Sequence, residues 1–167
     1  CMRMVTVEHP QDLIVPAGAT VLSATLTWAM TAPLDDDPEN LDAATFHFVT
    51  GDCSTACAHP IDPAQVRAVV PDTTDQMYVR SADVTAWVTG SGKVWADGIK
   101  ATAATAGTTP MAGWALSVIW SLPGQSAATV SITDPGTYSI SSTPSQDVTV
   151  AAAGAPISNL TTVIWAA

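Results

Sequence analysis

Positive charge is scarce in this chain. Five Lys and Arg stand against fifteen Asp and Glu, a formal net charge of −10 over 167 residues. With no cationic stripe to neutralise phosphates, nucleic acid is not an expected partner. The same deficit argues against adsorption to anionic membrane surfaces. Charge of either sign is sparse: 12% of residues carry it, about half the usual share. No apolar run reaches the roughly 18 residues that a membrane span needs. The opening CMRMVTVEHP lacks an apolar h-region, so it reads as the start of a mature or trimmed chain rather than as a signal peptide. Cysteine is confined to Cys1, Cys53 and Cys57.

What the chain does have is apolar content. Hydrophobic residues make up 47% and the mean hydropathy is +0.27. That suffices for one domain with a real core, and 1–167 is read as a single domain. A value this high predicts that some apolar surface is covered by neighbours. The polar surface has to come from Thr, Ser, Asp and Gln.

The apolar residues recur with period two, the signature of strands. In 21–30, Leu22, Ala24, Leu26, Trp28 and Met30 share one face, with Ser23, Thr25 and Thr27 opposite. In 113–121, Trp114, Leu116, Val118 and Trp120 share a face, with Ala115, Ser117 and Ile119 on the other. Apolar on both faces, that strand is expected in the middle of a sheet. Shorter candidates are 2–8, 44–50, 65–70, 76–88, 93–101, 127–132, 137–141, 147–151 and 157–166, rich in Val, Ile, Thr and Trp. Pro and Gly punctuate the chain between them. This spacing predicts an all-β fold, an antiparallel β-sandwich or jelly roll. One short helix competes for 81–88, with Ser81 as its N-cap.

Three segments are familiar in their order and spacing: LIVPAGATVLSATLTWAM (13–30), YVRSADVTAWVTGSGKVWADGIKA (78–101) and AGWALSVIWSLPGQSAATVSITD (112–134). They resemble a jelly-roll-like β domain of bacterial exported surface proteins, often found ahead of immunoglobulin-like repeat domains. The late Val-Ile-Trp-Ala fits the same pattern. The resemblance implies export, a β-rich jelly roll and a role at the cell surface. It brings no catalytic residues. The acidic loop and the Cys53–Cys57 loop depart from it.

Candidate sites are few. Cys53 and Cys57 lie in a Gly-, Ser- and Pro-rich stretch that can bend to close a disulfide. Cys1 is left over, with pairing between chains, a lipid anchor or no role all open. Asp35, Asp37, Glu39 and Asp42 fall in the densest run of hard oxygen donors, where calcium is one reading and a solvated acidic loop the other. The central Gly and distal Glu of an EF-hand are absent. His9, His47 and His59 show no ligand spacing. There is no Gly-x-Ser-x-Gly elbow and no paired-carboxylate signature, so no enzyme is expected. Trp87 and Trp95 interrupt polar stretches and are candidates for a binding or interface surface.

Two function classes follow. The first is a structural subunit of an extracellular assembly such as a fibre, pilus-like filament, surface layer or adhesin, homo-oligomeric or set among other surface domains. Its inter-subunit strands would carry Val5 and Val7, or Leu160, Val163 and Trp165, because both terminal stretches are apolar and the last stops on apolar residues. The second is a module binding carbohydrate or another surface polymer. A viral structural jelly roll is a third reading that fold alone does not separate from the first.

Overall fold

A computed structural model describes residues 10–32, 41–51, 57–68, 77–101 and 112–124. They form eight strands: β1 (Gln11–Leu13), β2 (Thr20–Thr31), β3 (Thr45–Val49), β4 (Ala58–Pro60), β5 (Arg67–Ala68), β6 (Met77–Asp83), β7 (Gly92–Asp97) and β8 (Ala112–Ser121). A 3-10 turn, Pro63–Gln65, precedes β5; Asp62 caps it by accepting from the Ala64 N–H. The expected strands 2–8, 127–132, 137–141, 147–151 and 157–166 lie outside the described residues.

The strands make two antiparallel sheets, ordered β1-β7-β3-β4 and β5-β6-β2-β8. The chain passes repeatedly from one sheet to the other, and only β3–β4 and β5–β6 are sequence neighbours paired in one sheet. The two sheets enclose one buried cluster. The second contributes Ala24, Leu26, Trp28, Met30, Tyr78 and Ala82, and the first Phe46, Phe48, Val94 and Ala96. The expected all-β sandwich is therefore present.

β2 organises its sheet. It pairs with β6 from Thr25↔Asp83 to Thr31↔Met77 and with β8 from Thr20↔Ser121 to Met30↔Ala112. Its inward residues Ala24, Leu26, Trp28 and Met30 are essentially inaccessible. The alternation fails at one point. The register between β2 and β8 shifts between Val21 and Ser23. As in any bulge, the extra residue inverts the facing upstream of it. Val21 packs on the core instead of Leu22, and Leu22 is 57% exposed. Trp120, paired with Val21, is 43% exposed rather than core.

β8 (Ala112–Ser121) flanks β2 on the side opposite β6. Among the described residues it pairs only with β2 and ends the strand order. Most of its side chains, on both faces, are partly buried. Over 81–88 the strand alternative holds as far as Asp83 and no helix forms. β6 runs to Asp83, after which the Asp83 carboxylate accepts from the Thr85 N–H at 2.8 Å and the Val84 carbonyl from the Trp87 N–H. Thr85 Oγ1 accepts from the Ala24 N–H at 2.8 Å, so this turn continues the β2–β6 edge by side chain.

Among the described residues, one charged side chain sits in the core. Arg80 faces inward on β6, 4% exposed. Its Nε donates to Asp42 Oδ1 at 2.8 Å, its Nη1 donates to the Val79 carbonyl, and its guanidinium lies 5.6 Å from the Tyr78 ring centre. Beside it, Trp28 Nε1 donates to the Leu41 carbonyl at 3.2 Å. Both bonds hold the segment that enters β3, so they fasten one sheet to the approach of the other. At the first sheet's crossing, Gly92 is obligatory for space: a Cβ there would lie 2.6 Å from the Val49 carbonyl oxygen.

Asp42 is one of the groups that compensate the buried Arg80 guanidinium, and removing it weakens that compensation. Asp42→Ala is expected to lower stability by about 3 kcal/mol, read as a shift of the urea midpoint. An unchanged midpoint would show that Arg80 is satisfied without Asp42.

Candidate functional site

Strand alternation on β3 and β7 sorts their side chains. Phe46, Phe48, Val94 and Ala96 point into the core. Thr45, His47, Val49, Lys93, Trp95 and Asp97 therefore stand on the outer face of the first sheet. The register places His47 opposite Trp95 and Thr45 opposite Asp97. The His47 and Trp95 rings stack with centroids 4.5 Å apart and planes 7° from parallel. His47 Nε2–H donates to Asp97 Oδ2 at 2.8 Å. These two side chains are only 15% and 27% exposed, low values for an outer face. One strand further, Lys93 and Asp12 form an open ion pair at 2.9 Å.

A second stack lies on the inner side. His59 on β4 is the register partner of Phe46 and so faces the core. Its ring stacks on Trp87 at 4.6 Å and 7°, and Trp87 in turn lies against Phe46 at 6.2 Å. Trp87 follows β6 of the other sheet, so this stack bridges the two sheets beside the β4 edge. Burial penalises the charged imidazolium of His59, and the His47 charge adds to that, so its pKa lies below the ordinary histidine value. At Asp83 the hydrogen bonds from Thr85, side chain then backbone, hold the carboxyl below its usual range.

The two tryptophans expected to act together are thus separated. Trp87 packs against the core with Phe46 and His59. Trp95 alone reaches the outer face. His47 faces outward, yet its ring stacks on Trp95 and is tied to Asp97, and its side chain is mostly covered. Nothing in the local sequence signals that tie; it comes from the β3–β7 register.

Of the acidic run, Asp42 is engaged by Arg80, while Asp35, Asp37 and Glu39 lie outside the described residues. No group of three or more His, Cys, Asp or Glu able to hold a metal occurs among the described residues. Cys57 leads into β4, its carbonyl accepting from the Phe48 N–H at 3.2 Å. Cys53 and Cys1 are outside the described residues, as are Val5, Val7, Leu160, Val163 and Trp165. No helix among the described residues is long and apolar enough to cross a membrane.

Comparison with protein-family models, curated proteins and solved structures finds no match to this chain.

The His59 shift has a pH consequence. The folded state binds that proton less readily than the unfolded chain, whose histidine titrates near 6.5. The stabilisation is complete above that value and is lost as pH falls through it toward the lower folded pKa. In urea titrations at pH 8 and pH 5, His59→Gln is expected to lose part of the acid-side destabilisation seen in the parent chain. An identical pH slope in the two proteins would contradict the assignment.

Proposed function

We propose that this chain is a structural subunit or domain of an extracellular surface assembly, with no catalytic role, joined to its neighbours by edge pairing or strand exchange. The observation that supports this is an asymmetry among sheet edges. Exposed edges invite further strands unless they are short, charged or interrupted by proline. Among the described strands, three of the four that end a sheet fit that description. β1 has three residues and ends in the Asp12–Lys93 pair's neighbourhood, β4 has three with Pro60, and β5 has two with Arg67. β8 has ten residues, AGWALSVIWS, with no charge and no proline. Its inward Trp114, Leu116 and Val118 are only partly buried against the core. Leu22 and Trp120 add exposed apolar surface at its end.

A strand supplied along β8 would satisfy its outer backbone groups and cover that apolar row. In this reading the donors are the apolar stretches 2–8 and 157–166, with Val5, Val7, Leu160, Val163 and Trp165 as their buried positions. Homo-oligomers among like copies follow, or rows of different surface domains. The alternation of the chain between two sheets favours a jelly-roll course, and the resemblance to exported surface domains favours the cell exterior. A disulfide between Cys53 and Cys57 would suit the same compartment.

Ser117 is exposed on β8, so a lysine there burdens the edge without touching the core. The parent chain is expected to associate as concentration rises in light scattering, and Ser117→Lys to remain monomeric over the same range. A parent chain that stays monomeric at millimolar concentration would overturn the reading.

A further inference from the structure

The outer face of the first sheet carries chemistry that edge pairing in the second sheet does not use. Trp95 stands there with one indole face covered by His47. Asp97 fixes the imidazole by accepting from Nε2–H at 2.8 Å. That bond leaves Nδ1 of His47, and the indole N–H of Trp95, without hydrogen-bond partners among the described residues. The second carboxylate oxygen of Asp97 and the hydroxyl of Thr45, its cross-strand partner, stand in the same patch. A partly exposed aromatic ring, locked in orientation and ringed by donors and acceptors, is thus presented on the rigid part of two paired strands.

We propose that this patch, Trp95 with His47, Asp97 and Thr45, binds a neutral pyranose unit of a polysaccharide. A sugar ring offers an apolar C–H face to lie on the side of the indole away from His47, and hydroxyls that both donate and accept. The imidazole Nδ1, the carboxylate and the Thr45 hydroxyl meet those hydroxyls in either sense. A protein partner would want a broader apolar centre than one indole. The charge balance selects for neutrality: a chain of net −10, with Asp97 inside the patch, repels uronates and sulfated sugars. A simple cation is disfavoured as well, since Asp97 is already paired with His47. Trp87, stacked inside between Phe46 and His59, takes no part.

The site lies on β3 and β7, in the sheet opposite β8, so it stands or falls independently of the assembly reading. Electrophoresis of the full chain through native gels containing mixed-linkage β-glucan, galactomannan, dextran or polygalacturonate tests it. Retardation is expected in at least one neutral polymer and not in polygalacturonate. Trp95→Ala is expected to weaken that retardation about tenfold, the loss of one aromatic stacking contact. His47→Ala, which leaves the indole in place but unpropped, should weaken it less and serves as the second variant if Trp95→Ala does not fold. Absence of retardation in every neutral polymer, or retardation that survives both substitutions undiminished, would overturn the proposal.

Discussion

Burial of one face of β2 is the constraint on which the rest of the molecule depends. Ala24, Leu26, Trp28 and Met30 fill the centre of the sandwich with almost no accessible surface. The same strand provides the pairing edge for β6 on one side and β8 on the other. Trp28 adds a polar tether, because a buried indole N–H needs a partner, and the Leu41 carbonyl that serves it lies just ahead of β3. Arg80, the cross-strand neighbour of Trp28, repeats the device with Asp42. Hydrophobic burial thus brings the sheets together, and two directional bonds select how the connecting segment meets them.

The two sheets then differ in what they present outward. The first has short edges and an outer face built around a locked Trp–His–Asp group. In the second, β8 ends the order of the described strands, long and uncharged, with a half-covered apolar row beneath it. This division supports two roles for one scaffold, contact with a polymer on one sheet and contact with neighbouring subunits along the other. Neither role needs a reactive group, and the ionisable side chains at hand are engaged structurally: Arg80 with Asp42, Asp83 with Thr85, His47 with Asp97.

Much of the architecture was legible in the chain itself. The period-two runs at 21–30 and 113–121 correspond to β2 and β8, and 44–50 to β3. Each is long enough for alternation to rise above chance. β1 and β4, with three residues apiece, are too short to carry a period and were missed. Leu22 was placed on the wrong face because a bulge is a property of the pair β2–β8, invisible in either strand alone. For β8, apolar on both faces, the described strands show partial burial of each face. Of the two readings of 81–88, strand holds as far as Asp83, and the helical one loses to the Asp83–Thr85 turn, since Asp and Thr side chains satisfy the same backbone groups that a cap would. For the sites, the indole of Trp95 was recognisable as unusual, but its partners arrive from β3 and its supposed companion Trp87 faces the core. Contacts that depend on register between distant segments are not written in local spacing.

The central claim is that β8 is the edge through which this chain joins others. Amide hydrogen exchange resolved along the strand tests it most directly, measured on dilute protein and on the concentrated, native form. In antiparallel pairing alternate amides of β8 point away from β2, and those are the ones to follow. The account predicts that they exchange fast in dilute protein and slow by orders of magnitude on association, while β1, β4 and β5 change little. Equal protection at both concentrations would mean that the edge is satisfied within a single chain, and would contradict the account.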